Sequence, residues 1–242
     1  RDGSNYDIVG QNYNAQGELV GNEIQISSTS SSYKSSISST VLDDGGFVVT
    51  WISSGQDGSS YGVYGQLLTA AGQSVGDEFQ VNSYTAHSQS NPFVTALTDG
   101  GFIVTWQSLY QDGSSYGIYG QRYNAIGEMV GGEFQVNNTT VQQQTNPTVI
   151  GLPDGGFVVS WQSLYQDGDN GWDVYARHFP AYLEDTAIAL NINAALTDTD
   201  GSETLAIELH NVPDGAQLSA GTDQGNGVWL LASDELDGLT IT

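Results

Sequence analysis

The stretch Asp198-Thr199-Asp200-Gly201-Ser202-Glu203 sets three carboxylates around one glycine turn, and Glu184-Asp185 add two more upstream. Carboxylates crowded on a sharp turn suit a hard divalent cation, since Ca²⁺ collects about 6–8 oxygen ligands. The pattern is not an EF-hand, because the glycine comes early and no Glu closes the loop. Calcium held by Asp198, Asp200, Glu203, Glu184 and Asp185 is therefore the expected cofactor, against the plainer reading of a solvated Asp-Gly turn. A second set of residues is aromatic. Tyr110 and Tyr165 lie in SLYQDG turns where a sibling segment has Gly55, and Trp172 follows an inserted residue. A ring beside Asp, Asn and Gln on a loop suits a sugar: the ring stacks on the pyranose face and the polar groups take its hydroxyls. Tyr110, Tyr165 and Trp172, with the turn acids Asp112 and Asp167, are the expected ligand-binding residues. The competing reading is a side chain folded over its own repeat.

The elements that must carry these residues repeat. DGGFVVTW, DGGFIVTW and DGGFVVSW begin at Asp44, Asp99 and Asp154, 55 residues apart. Repetition at this scale marks an array of supersecondary units, none of which can bury its faces alone. Each unit reads as four strands. After the Gly-Gly turn comes Phe47–Trp51 or its copies, apolar on both faces as in a covered strand. A QDG turn leads to a Tyr-rich strand (YGVYGQLL, YGIYGQRY, WDVYARHF), then a short one (EFQVN, at 78–82 and 133–137). NPFVTAL and NPTVIGL return the chain to the next Gly-Gly turn. β-Branched and aromatic runs punctuated by Asp-Gly and Asn-Pro are strand and turn signals throughout, and no segment reads as a helix.

Residues 1–26 align with 56–81, so the chain starts within a unit, and the last unit ends after its Tyr-rich strand. The front piece is expected to complete the back one, which would remove exposed sheet edges. The fold class is thus all-β: tandem four-stranded antiparallel repeats, propeller-like or three-fold closed. Part of an Ig-like or cadherin-like sandwich follows from about Ala181, giving domains at 1–180 and 181–242.

The repeated acids Asp44, Asp99 and Asp154, with Asp57, Asp112 and Asp167, read first as turn formers, since Asp caps its own backbone and Gly takes positive φ. Trp51, Trp106 and Trp161 read as core. The polar surface is almost wholly uncharged or acidic, with 28 Asp and Glu against 4 Lys and Arg and a net charge of −24. Such a surface repels phosphate, which excludes nucleic acid and anionic lipid as partners. It also repels itself, and a divalent cation would relieve that. Cysteine is absent, so any staple must be something other than a disulfide. No apolar run reaches the ~18–20 residues of a membrane span, and Arg1 suggests a piece of something longer.

With these motifs quoted, a family can be named. The tandem DGGFVVTW…QDGSSYGVYGQ…EFQVN pattern resembles the repeats of giant bacterial calcium-dependent surface proteins of the RTX-adhesin kind. DTAIALNINAALTDTDGSETL resembles the tandem Ig-like modules of the same proteins. The first likeness covers about 1–180 and the second 181–242. The resemblance implies type I secretion, folding outside the cell in calcium, a place at the bacterial surface and a modular role in adhesion and biofilm. The glycine-rich nonapeptide of RTX proteins is missing, so calcium rests on the acidic turns.

The expected function is a lectin-like module of an extracellular adhesin, calcium-stabilised, binding a cell-surface carbohydrate or peptide and flanked by neighbouring modules of one long chain. The alternative is a spacer that only extends the adhesin. An enzyme is not expected. Arg1, Arg122 and Arg177 are too few for a sialidase-like carboxylate site. His87, His178 and His210 show no metal or triad spacing, and no carboxylate pair stands out for glycoside hydrolysis.

Overall fold

The computed structural model describes residues 7–28, 32–168, 171–181, 188–190, 192, 194, 205–212 and 216–241. The chain divides into two compact units, Arg1–Ala181 and Tyr182–Thr242. No α-helix occurs among the described residues.

The first unit is a series of antiparallel sheets with a propeller-like, meandering order. A front hairpin pairs β1 (Val9–Tyr13) with β2 (Leu19–Gln25). The first repeat orders β3 (Lys34–Val41), β4 (Phe47–Ser54), β5 (Tyr61–Leu68) and β6 (Ser74–Gln80) side by side. The second does the same with β7 (Gln89–Ala96), β8 (Phe102–Leu109), β9 (Tyr116–Tyr123) and β10 (Met129–Gln135). The third has three strands, β11 (Gln144–Gly151), β12 (Phe157–Leu164) and β13 (Trp172–Phe179).

Two expectations are corrected. The fourth strand begins before EFQVN: Ser74 and Met129 already pair with the preceding strand, while Asn82 and Asn137 lie beyond its end. The front piece also does not complete the back one. β1 and β2 form a sheet of their own, and β13 is an edge strand among the described residues. The hairpin instead packs forward, Ile8 and Ile26 lying against Val49, Trp51, Tyr64 and Leu68 of the first repeat.

That contact recurs between repeats. Val48, Ile52, Val63 and Leu67 face forward onto Val94, Phe102, Trp106 and Tyr119, and Ile103 and Ile118 face forward onto Phe157, Val159 and Trp161. β4 and β8 thus bury both their faces, one within each neighbouring interface, which is why both faces of DGGFVVTW and DGGFIVTW are apolar. The forward face changes along the series. Ile52 becomes Gln107 and then Gln162, while Leu67 becomes Arg122 and then His178, at matching ladder positions. Gln162, Val174 and His178 are exposed in the third repeat.

The three-stranded third sheet has a counterpart in the glycines. A Cβ at Gly65 would lie 2.7 Å from Phe79 Cζ, and one at Gly120 2.9 Å from Phe134 Cζ. The fourth-strand phenylalanine needs that space. In the third repeat the equivalent of Gly120 on the ladder is Ala176, and no such strand lies over it among the described residues. Gly120→Ala should therefore destabilise the protein by about 1–3 kcal/mol through overpacking. An unchanged midpoint in chemical denaturation would refute this account of the glycine.

The second unit has two small antiparallel sheets. One pairs β14 (Ile188–Ala189) with β18 (Thr240–Ile241); the other orders β15 (Ala206–Leu209), β17 (Val228–Ala232) and β16 (Thr222–Gly225). Leu218, Leu231, Leu236 and Leu239 form the apolar cluster that the two sheets share.

Candidate ligand-binding rim

The turns that join the second and third strands of each repeat lie at one end of the sheets, and the Gly-Gly turns lie at the other. At the first end Gly55, Tyr110 and Tyr165 hold the same place. Their amides donate to Ser60 O (2.6 Å), Ser115 O (2.7 Å) and Gly171 O (3.0 Å), closing three similar turns. All three have positive φ: 71° at Gly55 and 60° at both tyrosines. Glycine adopts this conformation freely, whereas a bulky side chain there is strained. Both tyrosines are nevertheless exposed, Tyr110 by 53% and Tyr165 by 47%. Tyr110 is met edge-on by the His87 ring at 5.3 Å.

Trp172 stands at the base of the third of these turns, paired with Leu164, and is 48% exposed. By strand alternation it shares its face with Val174. The structure therefore brings Tyr110 and Tyr165 to equivalent positions on successive repeats, and sets Trp172 beside the second of them on the forward face of the last sheet.

The acids separate into roles. Asp112 turns inward: its Oδ1 accepts from the Ser114 amide (3.0 Å) and its Oδ2 from Gln135 Nε2 (3.4 Å). That is a turn-forming geometry, and it directs the carboxylate of Asp112 into its own repeat instead of outward with Tyr110. Asp167 is exposed. Asp44, Asp99 and Asp154 each accept from the amide two residues on, at 2.8, 3.0 and 3.0 Å. The five acids of the expected calcium site, Glu184, Asp185, Asp198, Asp200 and Glu203, lie outside the described residues. Among the described residues, no three potential metal ligands gather into one group.

Sequence reasoning missed a pair of clamps. Glu78 Oε2 accepts from the amide and hydroxyl of Ser28 (2.9 and 3.1 Å), and its other oxygen accepts from Gln56 Nε2 (2.6 Å). Glu133 repeats this with Ser83 (2.7 and 3.0 Å) and Gln111. One carboxylate thus ties its own turn to the preceding unit. At the third repeat Arg177 does comparable work, donating to Val136 O and Asn138 Oδ1, both at 3.0 Å. The clamped carboxylates are felt by the phenols nearby. Burial, helped by Asp57 and Glu78, pushes Tyr64 up to about 12, and burial with Asp112 and Glu133 raises Tyr119 as well. Asn137, which opens a glycosylation sequon, is buried and accepts from the Ile118 amide at 2.6 Å, so it is a structural residue.

A polar row runs beside the turns. Asn91 Nδ2 donates to Asn146 Oδ1 (3.0 Å) in the next repeat and to Gln107 Oε1 (3.2 Å) in its own. Asn146 in turn donates to Gln162 Oε1 (2.9 Å). Gln107 and Gln162 each stand three residues before the rim tyrosine of their strand.

No family model matches the chain, and no curated protein does. Solved structures similar to it include an endo-arabinase from Bacteroides thetaiotaomicron, with 19% identity over 71% of this chain and 64% of that one, at a TM-score of 0.42. A thermostable family-43 glycoside hydrolase aligns at 11% identity over 70% and 66%, with a TM-score of 0.43. A protein of unknown function from Dyadobacter fermentans aligns at 10% over 64% and 54%, with a TM-score of 0.49. The chain thus spans less than two thirds of the length of each. The expectation that this is not an enzyme is corrected: two of these neighbours are glycoside hydrolases, and the exclusion of catalysis is withdrawn. At such identities and TM-scores the likeness gives this chain neither a reaction nor a substrate.

Proposed function

We propose that residues 1–180 are a lectin-like, carbohydrate-binding module of an extracellular bacterial adhesin, stabilised by calcium. The observation that carries this reading is the pair Tyr110 and Tyr165, held exposed at φ 60° where the sibling repeat uses Gly55. Strain of this kind costs of order 1–3 kcal/mol and persists where function needs the side chain. A flat, half-exposed ring bordered by amides is what a sugar face requires. The acidic surface supports an extracellular, non-nucleic-acid partner, and the resemblance to adhesin repeats supports the surface setting.

The test is a return to glycine. Tyr165→Gly should raise stability by about 1 kcal/mol, because the strain disappears. Tyr110→Gly should gain less, since it also loses the His87 edge contact, an interaction of about 0.5–1.5 kcal/mol. Both should reduce binding on a glycan array at least tenfold. Lowered stability with unchanged binding would make the rings structural and sink the reading. The second reading, a spacer, is favoured by the Ser28–Glu78 and Ser83–Glu133 clamps, which stiffen the array without presenting anything. It predicts no glycan retention by the unaltered protein.

A further inference from the structure

The repeats differ in a correlated way at the rim. The second carries Asn91, Gln107 and Tyr110, and the third carries Asn146, Gln162 and Tyr165. The first has Ser36, Ile52 and Gly55 at those places. An amide row and an aromatic ring are therefore present together twice and absent together once. Turn formation does not explain the tyrosines, because Gly55 closes the same turn with the same amide donation, whereas Asn91 and Asn146 share with Ser36 a left-handed backbone that asparagine tolerates well.

The two equipped repeats are also joined at this end. Ser114 Oγ of the second donates to Gln142 O of the third at 3.5 Å, and the Asn91–Asn146 bond links the amide rows. Sheets packed face to face stand about 10 Å apart, so rings carried by successive repeats lie on the scale of a short oligosaccharide. A single terminal sugar would reach one ring; a longer chain would lie on both. Charge narrows the ligand further. At a net −24 the surface repels uronic and sialic acids and tolerates neutral sugars.

Resting on the carbohydrate reading above, we propose that the rim of the second and third repeats binds an extended, uncharged polysaccharide along its length, one ring to each repeat. The site is two coupled subsites, and affinity comes from occupying both. Joining two weak subsites through one ligand raises affinity by about a hundredfold or more when the spacing matches.

The experiment uses the full chain on an array of neutral and acidic glycans, each printed as mono-, di-, tetra- and hexasaccharides, with titration of the best series in solution. The expected result is a rise of about a hundredfold between di- and hexasaccharide in a neutral series. Tyr110→Gly and Tyr165→Gly should each bring the hexasaccharide down to disaccharide strength while leaving the disaccharide bound. Disaccharides that bind as tightly as hexasaccharides would overturn the two-subsite proposal and leave the carbohydrate reading standing. Preference for acidic glycans would overturn it too. Binding to no glycan at all would remove the carbohydrate reading itself.

Discussion

Trp106→Ala should cost about 3–5 kcal/mol and loosen two repeats at once. Trp106 is fully buried and belongs to the same cluster as Val48, Ile52 and Val63 of the repeat before it. Removing an indole there leaves a cavity at the interface through which the first and second repeats stabilise each other. In an array held by neighbour contacts, damage spreads to the adjoining unit and fades beyond it. Amide hydrogen exchange should therefore show lost protection in Phe47–Ser54 and Phe102–Leu109 together. Trp161→Ala, one interface later, should spare Phe47–Ser54. Equal loss in all sheets from either substitution would show one indivisible cooperative unit in place of a coupled series.

The next largest effect is expected from calcium. A folded chain at net −24 holds repelling carboxylates closer than the expanded chain does, so folding in low salt without metal should be weak. Each bound Ca²⁺ cancels two charges and favours the native arrangement of oxygens. At free calcium one hundred times the dissociation constant, this linkage adds about 2.7 kcal/mol. The turn containing Asp198, Asp200 and Glu203 should dominate, because its carboxylates are close in sequence. Asn at positions 198 and 200 should then lower calcium stabilisation of 181–242 more than that of the repeats. Melting curves in millimolar calcium and in chelator, at matched ionic strength, decide the matter. Curves that coincide would make the acids simple solubility charges.

Much of the repeat was legible because its signals are local. The Gly-Gly turns, the QDG turns and the alternating strands come from φ preferences and pleat periodicity, and β5 and β9 span the Tyr-rich runs as read. The start of the fourth strand was not legible: Gly76 and Gly131, at positive φ within it, look like loop residues until the bulge they occupy is seen. The clamps were hidden for another reason. Ser28 and Glu78 stand 50 residues apart, and only the docking of one unit on another brings them together. For the rim, one signal was present in the letters. Gly55 aligned with Tyr110 and Tyr165 is compatible with a left-handed backbone at all three, and the structure has it there, with strain wherever the glycine is replaced. Closure of front onto back is not seen among the described residues, where β1 pairs only with β2 and β13 only with β12; the packing of Ile8 and Ile26 on the first repeat is the same interface that each repeat makes with the next.

The substitution of Ile52 by Gln107 and Gln162, and of Leu67 by Arg122 and His178, gives the array a reading direction. Its members share a backbone and a turn chemistry, yet they are not interchangeable parts. The first repeat turns an oily side forward and must be followed; the third turns Gln162 and His178 forward beside Val174 and Trp172, a more polar face than the first. Shuffling the repeats by gene rearrangement, with the first and third exchanged, would bury Gln162 and His178 and bare Ile52 and Leu67. Such a chain would keep every strand and every turn and should still precipitate. Duplication can copy this unit freely, but only a copy inserted between the first and the last inherits suitable neighbours on both sides.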